Sequence, residues 1–254
     1  MSRGVCVVLS GGGARGVAHI GVLKVLDEEG IPVRSIVGSS AGALVGALYA
    51  SCKDASKVAS FVKALPLYKL PDLSLSGQGL ISGERLGGFV KEFTRAETFA
   101  DLQLPLVVNA TDLRTGKEVV FKEGSLLPAL HATSAFPGVI KPLVLGDLLL
   151  IDGGVSDTLP LKLASRSLPV VASDVTGIAS LPKKPNIFSV MRQSLHILTM
   201  NAVSQERFSD KRLLRVRPDV LDWEVFSLRD LDELIARGER AMKASLPQLR
   251  RLLR

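Results

Sequence analysis

The sequence predicts an α/β fold, a three-layer α/β/α sandwich whose mainly parallel central sheet carries short β-hairpins. The first observation is that two units open the chain in succession, each with a short apolar strand, a glycine-containing turn and a helical segment. Consecutive units of this kind are typical of a parallel sheet covered by helices. The second observation is that alternating segments joined by tight polar turns follow in the middle of the chain, which predicts hairpins.

The first unit begins with the apolar run 4–9, which predicts a buried strand, and the glycine-rich segment 10–16 ends it. Apolar residues then recur at helical spacing until Gly30 and Pro32 close the helix. In the second unit, β-branched residues lead into Gly38, and the small and apolar residues 41–50 predict the next helix.

The next part of the chain mixes helices with a hairpin. Residues 54–65 predict a helix, and Ser82 is expected to cap another over 83–93. Between them, segment 65–80 combines prolines, serines and glycines with several leucines, so we expect a loop able to cover the site. A strand at 104–111, a turn at 112–116 and a strand at 117–122 then predict a hairpin.

A second hairpin ends at an aspartate. Ser125 is expected to start a short helix, and strands at 143–145 and 148–151 flank a two-residue turn, so that the second strand delivers Asp152. Further predicted elements are a short helix opened by Pro160, a buried strand at 169–173, a helix over 188–203, a strand at 213–217 and a long helix built on Leu228, Leu231, Leu234 and Ile235.

No linker, repeat or low-complexity segment divides the 254 residues. We therefore expect one domain over 1–254, with a motif-bearing core at about 5–166 and a C-terminal strand and helices at 167–254. Cys6 and Cys52 are too few for a disulfide framework and form no Cys-x-x-Cys pair, so both are expected to be buried thiols.

Composition narrows the location and the partners. Apolar stretches such as 41–50 are too short to span a bilayer, and the N-terminus lacks a secretory pattern, so we expect a cytoplasmic protein. The net charge of +7 suits an anionic surface, including peripheral contact with the inner face of a membrane. Basic residues are not interleaved with aromatic ones, which argues against nucleic acid. A solvated basic face is the simpler interpretation, and the oligomeric state stays open.

The pentapeptide Gly38-x-Ser40-x-Gly42 lies between the second strand and its helix. A strand, a sharp turn and a helix in this order form a nucleophile elbow, in which glycines flank a strained serine. The turn presents the serine oxygen at a helix N-terminus, where backbone N–H groups favour a developing negative charge. Ser40 is therefore the candidate nucleophile.

The loop Gly11-x-Gly13-x-x-Gly16 also fits a dinucleotide-binding fingerprint, because it follows a strand and opens a helix. That fingerprint predicts an acidic residue at the end of the second strand. The second strand ends instead in Val37-Gly38-Ser39, and the chain has no Gly-Lys-Ser/Thr motif for a phosphate loop. Nucleotide binding is therefore the weaker interpretation.

Three motifs now occur in a fixed order: the glycine loop 11–16, the elbow 38–42 and Asp152-Gly153-Gly154 after a strand. Together they resemble the patatin-like phospholipase family, particularly its short single-domain bacterial members. The resemblance continues through 133–137 and Pro142, and the tail 217–241 looks like the closing strand and helix of the family. It covers nearly the whole chain.

The resemblance implies a serine acyl hydrolase that cleaves lipid carboxylic esters, of phospholipase A, lysophospholipase or esterase type. Ser40 would be the nucleophile and Asp152 its proton acceptor, a Ser-Asp dyad without histidine. The dyad needs neither a metal nor a cofactor. A carboxylate is a weak base in water, so the dyad requires a partly desolvated Asp152. The supporting motif residues are Arg15, Gly16, Gly38, Gly42, Gly153 and Gly154.

The glycine loop supplies candidate donors for the oxyanion of a tetrahedral intermediate. We expect the backbone N–H groups of Gly11, Gly12, Gly13 and Ala14 to form this hole, with the N–H of Ala41 as an additional donor. Arg15 either holds the shape of the loop or binds a phosphate, and the former is preferred.

Two alternatives remain open. Ser40, Asp152 and His196 follow the chain order of an α/β-hydrolase triad, although His196, like His19 and His131, lies in a predicted helix. A non-catalytic lipid-binding protein of the same fold is the other alternative. Thr111, Asp112 and Arg114 could line a pocket rim, but a polar hairpin turn is the preferred interpretation.

Overall fold

The computed structural model describes residues 4–65, 82–178 and 212–254, together with positions 186–187, 189–191, 193–194 and 197–198. The predicted cover segment 65–80 lies outside the described residues except for Leu65. His196 also lies outside them, as does much of the predicted helix over 188–203.

The described residues contain one mixed sheet of eight strands in the order β5-β6-β3-β2-β1-β7-β8, with β4 paired to β3. The strands are β1 (Val5–Leu9), β2 (Val33–Gly38), β3 (Leu106–Asp112), β4 (Glu118–Phe121), β5 (Leu143–Leu145), β6 (Leu148–Asp152), β7 (Val170–Ser173) and β8 (Leu213–Val216). Neighbours from β3 to β8 along this order are parallel, whereas β3/β4, β3/β6 and β5/β6 are antiparallel. The predicted α/β class, with a mainly parallel sheet and short hairpins, is confirmed.

Helices surround the sheet: α1 (Ala18–Glu28), α2 (Ala41–Cys52), α3 (Ala55–Ala64), α4 (Glu84–Thr94), α5 (Leu126–Ser134) and α6 (Leu231–Leu252). The predicted cap of α4 was wrong, because the N-cap residue is Gly83 rather than Ser82. Its φ of 82° lies in the left-handed region that favours glycine. The C-terminal helix begins at Leu231, where the Asp230 side chain accepts a hydrogen bond from the N–H of Glu233.

The alternation of β1 divides the core between the two faces of the sheet. Val5, Val7 and Leu9 pack into the larger cluster with residues of α1, α2, α3 and α6. Cys6 and Val8 face a smaller cluster that includes Leu159, Leu161 and Ala164. Every residue of β1 is fully buried, as expected for a central parallel strand. Cys6 is buried as predicted, and Cys52 is only partly so.

The register of β3 brings two distant parts of the chain together. Val108 pairs with Gly38 at the end of β2, and Ala110 pairs with Asp152 at the end of β6. β4 pairs with residues 108–111 and so takes up one edge of β3. β2 and β6, which pair with residues 106–108 and 110–112, therefore lie one after the other along the opposite edge of β3. One strand therefore fixes the position of the elbow relative to Asp152.

Candidate active site

The elbow is strained at its serine and closely packed at its glycines. Ser40 has φ 50° and ψ −123°, which is uncommon for a residue with a Cβ, and α2 begins at the next residue. A Cβ at Gly38 would lie 2.6 Å from the backbone of Ala43, and one at Gly42 would collide with the Leu9 carbonyl. Neither glycine can therefore carry a side chain without a shift of the backbone.

Ser40 and Asp152 are in direct contact. The Ser40 hydroxyl donates to Oδ2 of Asp152 at 2.6 Å, and the other carboxylate oxygen accepts from the N–H of Gly154 at 2.7 Å. The N–H of Ser40 donates to the Thr133 hydroxyl oxygen at 2.9 Å. The Thr111 hydroxyl donates to the Asp152 carbonyl at 2.9 Å. Both members of the pair are thus held through backbone as well as side-chain atoms.

The environment of Asp152 changes its acidity. The residue is only 4% exposed, and burial raises the pKa of its carboxyl from 3.8 to about 6, although the hydrogen bonds from Ser40 and Gly154 act in the opposite direction. A carboxylate with this pKa accepts a proton more readily than one in water. It is still largely ionised at pH 7, as a base must be.

Two of the four predicted oxyanion donors are already engaged. The N–H of Gly11 donates to the Thr158 carbonyl at 2.9 Å, and that of Ala14 donates to the Val225 carbonyl at 2.7 Å. Neither Gly12 nor Gly13 donates a backbone hydrogen bond to any residue that the structure describes. Of the four predicted donors, only the N–H groups of Gly12 and Gly13 are therefore left as candidates for the oxyanion hole. Both residues line the same cavity as Ser40.

Arg15 holds the loop from inside the protein. It is 1% exposed, and its guanidinium donates to the carbonyls of Trp223 at 2.9 Å, Leu221 at 3.0 Å and Gly177 at 3.1 Å. Three carbonyl partners satisfy much of a buried cation's demand for acceptors. These hydrogen bonds connect the glycine loop to the backbone at Gly177, Leu221 and Trp223, and that Arg15 fixes the shape of the loop stays a prediction.

The turn after Asp152 is packed against Asn109 of β3. A Cβ at Gly153 would collide with the Asn109 carbonyl, and the Asn109 amide donates to the carbonyls of Gly153 at 3.2 Å and Asp157 at 2.9 Å. A Cβ at Gly154 would lie 3.0 Å from Oδ1 of Asp152, so this glycine lets the backbone N–H approach the carboxylate.

Sequence reasoning missed the roles of Thr111, Thr133 and Asn109. Thr133 begins the stretch 133–137 that the family resemblance covers, and its hydroxyl accepts from the Ser40 N–H. For Thr111 the sequence favours a polar hairpin turn, but its hydroxyl donates to the Asp152 carbonyl. Thr111 and Thr133 each lie one residue before the end of β3 and of α5, and a polar residue at such a position is the signal that the sequence offers, whereas Asn109 lies in the middle of β3 and offers none. Asp112 is the last residue of β3, and its side chain holds the turn that follows, because it accepts from the Thr115 hydroxyl at 2.6 Å.

The described histidines lie away from the serine. His19 is fully buried, with Nδ1 2.7 Å from the Ser173 hydroxyl and Nε2 2.9 Å from the Ser10 carbonyl. Because a carbonyl only accepts, Nε2 carries the proton, and burial lowers the pKa of the ring to about 4. Nε2 of His131 lies 2.9 Å from the Lys141 carbonyl. Neither histidine is hydrogen-bonded to Ser40 or Asp152.

A cavity of about 630 Å³ opens over the serine. Besides Ser40, Asp152 and the glycine loop, its wall is largely apolar and comes from α2, α3, α4 and the segments after α5 and β8. The apolar lining residues include Leu44, Leu48, Phe61, Leu86, Phe89, Val90, Phe136, Val139, Ile140, Val225, Phe226 and Leu228. A cleft of this size and lining fits an apolar ligand group.

Two classes of feature are not found in the part of the chain that the structure describes. No group of three or more histidine, cysteine, aspartate or glutamate side chains is arranged to hold a metal ion there. Among the same residues, no helix is both long enough and apolar enough to cross a bilayer.

Comparison with known proteins gives related sequences for this site. The chain is 39% identical over 180 residues to an uncharacterized NTE family protein of Mycobacterium tuberculosis, covering 70% of this chain and 49% of that protein. It is 35% identical over 182 residues to the human patatin-like phospholipase domain-containing protein 6, covering 67% of this chain and 13% of that protein. It is 33% identical over 182 residues to lysophospholipase NTE1 of Mycosarcoma maydis, covering 68% and 10% respectively. The chain thus spans half or less of the length of these relatives.

Solved structures share the fold at low sequence identity. The crystal structure of VipD from Legionella pneumophila superposes with a TM-score of 0.66 at 13% identity, covering 97% of this chain and 67% of that one. The type III effector protein ExoU gives a TM-score of 0.55 at 16% identity, covering 97% and 53%. A family model described as Patatin-like phospholipase matches residues 7–165, which include the glycine loop, the elbow and Asp152. The chain belongs to the patatin-like phospholipase family.

Proposed function

We propose that this protein is a serine hydrolase that cleaves the carboxylic ester bonds of lipids through a Ser40–Asp152 dyad. The observation that carries the proposal is the 2.6 Å hydrogen bond from the Ser40 hydroxyl to the buried Asp152 carboxylate. Ser40 lies on a strained turn, and both residues line an apolar cavity. The family membership and the relatives named as phospholipases and a lysophospholipase support a lipid substrate.

The first half of the reaction transfers the acyl group. Oγ of Ser40 attacks the ester carbonyl while Asp152 takes its proton, and the carbonyl oxygen becomes an oxyanion. The N–H groups of Gly12 and Gly13, with that of Ala41, would donate to this oxygen. Collapse of the intermediate expels the alkoxide, which takes the proton from Asp152, and leaves an acyl-serine.

The second half regenerates the enzyme. Asp152 removes a proton from a water molecule, which attacks the acyl-serine through a second tetrahedral intermediate at the same oxyanion donors. The carbon–Oγ bond breaks, Oγ recovers the proton from Asp152, and the fatty acid leaves. The proposed steps need only Ser40, Asp152, the oxyanion donors and water, and no step is assigned to a metal or a cofactor.

Labelling with a fluorophosphonate probe tests the nucleophile. The probe should modify Ser40 alone, and Ser40→Ala should lose both labelling and the turnover of a soluble short-chain ester. Ser134 also lines the cavity, so Ser134→Ala is a matched control that should still be labelled at Ser40. Label on Ser134 or Ser39, or substantial turnover by Ser40→Ala, would contradict the assignment.

The same experiment weighs the alternatives. A protein that folds but neither labels nor turns over any ester would be a lipid-binding member of the fold. A triad would need a histidine between Ser40 and a carboxylate, so a well-folded His196→Gln variant without turnover would favour it over the dyad. The direct contact of Ser40 with Asp152 supports the dyad.

We also propose peripheral contact with an anionic membrane. Ile178, Leu221 and Phe226 expose apolar side chains, and Phe226 lines the cavity as well. Segment 179–217 has eight basic and two acidic residues, so it accounts for most of the net charge of +7. Exposed apolar side chains together with a basic segment in the same chain suit an acidic lipid surface.

Vesicle partitioning measures this contact. Binding to vesicles with anionic phosphatidylglycerol should exceed binding to neutral phosphatidylcholine vesicles, and added salt should weaken it because charges are screened within about 10 Å at roughly 0.1 M. Equal partitioning onto both vesicle types at low salt would refute the proposal, whatever the hydrolytic activity.

A further inference from the structure

Part of the candidate site comes from a segment beyond the residues that the family model matches. Residues 219–228, named here the C-terminal strap, connect β8 to α6, whereas the match ends at residue 165. Val225, Phe226 and Leu228 of the strap nevertheless line the same cavity as Ser40. The strap is therefore part of the wall of the site.

The strap is bonded to the glycine loop at three carbonyls. Leu221 and Trp223 accept from the Arg15 guanidinium, and Val225 accepts from the N–H of Ala14. A Cβ at Gly13 would collide with the Val225 carbonyl, so the two segments lie against each other. The position of the strap is thus tied to that of the loop beside Ser40.

The other side of the strap is held by α6. Arg237 donates to the Asp219 carbonyl at 2.8 Å and pairs with the Asp222 carboxylate, and its guanidinium lies 5.7 Å from the centre of the Trp223 ring. The Trp223 indole N–H donates to the Ser227 carbonyl at 2.8 Å. Bonds on both sides leave the strap little freedom to change shape.

Phe226 is the exception to this packing. Its side chain is 48% exposed although it lines the cavity, so the ring stands where the cavity meets solvent. Its only described ring partner is Phe136, whose centroid is 5.8 Å away in an edge-to-face arrangement. A large ring held half in water on a fixed segment has apolar surface left for a ligand to cover.

We propose that Phe226 selects the acyl chain of the substrate, favouring esters whose chain is long enough to pack on its ring over those with short chains. This inference rests on the proposed function, since it requires an acyl group attached to Ser40. A chain of a few carbons fills only the part of the cavity near the serine. A longer chain also reaches the ring and buries apolar surface there.

The test compares kcat/KM for nitrophenyl butanoate and nitrophenyl decanoate, both kept below their micelle concentrations so that interfacial effects do not enter. Phe226→Ala should lower the decanoate-to-butanoate ratio by about tenfold, the low end of what a small apolar group contributes in a pocket. Phe226→Leu keeps an apolar wall and should hold the ratio within about threefold of the parent.

Leu221→Ala is the matched control. Leu221 lies on the same strap and is similarly exposed, at 42%, but its side chain does not line the cavity. The decanoate-to-butanoate ratio of Leu221→Ala should equal that of the parent. An equal drop of this ratio in Leu221→Ala and Phe226→Ala would show a general effect of the strap and overturn the proposal. Thermal transitions check that each variant is folded.

The outcomes separate this proposal from the one it rests on. A parent protein without esterase activity would contradict the proposed function and this inference with it. An active parent whose Phe226→Ala variant loses activity equally on both esters, or keeps the parent ratio, would overturn the selection by Phe226 alone. If Phe226→Ala does not fold, the Phe226→Leu variant decides. A decanoate-to-butanoate ratio within about threefold of the parent supports the proposal that an apolar side chain at 226 is what the long acyl chain needs, and a tenfold fall in that ratio overturns it.

Discussion

Replacing Asp152 by asparagine should make the protein more stable and much less active. The raised pKa of this carboxyl means that the folded protein holds its proton more tightly than the unfolded chain does. As the pH rises from about 4 to about 6, the unfolded chain releases the proton first, so the parent loses stability. Asparagine does not titrate and avoids this loss. It can still accept from the Gly154 N–H and donate to the Ser40 oxygen.

The size of the effect follows from the shift. A change from 3.8 to about 6 is roughly 2 pK units, and at 1.36 kcal/mol per unit it corresponds to about 3 kcal/mol at pH 8. For a chain of this length, 1 kcal/mol moves the midpoint by roughly 2–4 °C, so the pH-dependent gain in Tm reaches roughly 6–12 °C. Turnover should fall by a factor of at least about a hundred, because a positioned base is lost.

Thermal unfolding of parent and Asp152→Asn at pH 4 and pH 8 measures the effect, because only the change in their difference belongs to Asp152. Asp54→Asn is the control of opposite sign. The hydrogen bond from the Lys57 N–H holds the pKa of Asp54 below its usual 3.8, so this variant should lose stability relative to the parent as the pH rises to about 4, and its Tm difference should then change little between pH 4 and pH 8. A Tm difference for Asp152→Asn that is equal at both pH values would refute the burial argument, and retention of a tenth of the turnover would refute the role as base.

The remaining predictions concern the groups around the dyad. Thr133→Val removes the acceptor for the Ser40 N–H, so kcat should fall about tenfold, measured on a soluble ester with thermal unfolding as the folding control. His19→Gln leaves a buried hydrogen-bonding partner unsatisfied and should lower the free energy of unfolding by roughly 1–3 kcal/mol in denaturant titrations. The pH profile of turnover should keep its midpoint near 6, because that midpoint follows the pKa of Asp152; a shifted midpoint would implicate His19 in proton transfer. Exhaustive chelation should leave turnover unchanged, and loss of turnover that calcium alone restores would contradict the dyad.

The sequence predicts the elbow well because its sterics are local. Gly38 is required by backbone atoms of Ala43 in its own strand-turn-helix unit, and Gly42 is required by the Leu9 carbonyl at the end of the strand of the neighbouring unit. β1 is apolar throughout, which identifies it as buried from composition alone, whereas β2 carries Arg34 and Ser35 before its buried end at 36–38. For the same reason, the hairpin that ends at Asp152 follows from a two-residue turn and its flanking apolar segments.

The sequence predicts less where the partners are distant. The glycine loop offers four similar N–H groups, and the carbonyls of Thr158 and Val225 engage two of them from far along the chain. The cap of α4 shows a different limit. Serine and glycine both suit an N-cap, and the left-handed backbone at Gly83 decides between them.

The contact between Ser40 and Asp152 depends on strand register more than on either side chain. β2 and β6 lie along one edge of β3, where pairing with Val108 and Ala110 fixes the ends from which the serine and the aspartate project. A slip of one residue in either pairing would turn the side chains of that strand to the opposite face and separate the pair. Such a slip would also expose the buried residues of the strand, so the core penalises it. The strain at Ser40 and the burial of the Asp152 carboxylate, each unfavourable alone, therefore persist because the packing of the sheet enforces both.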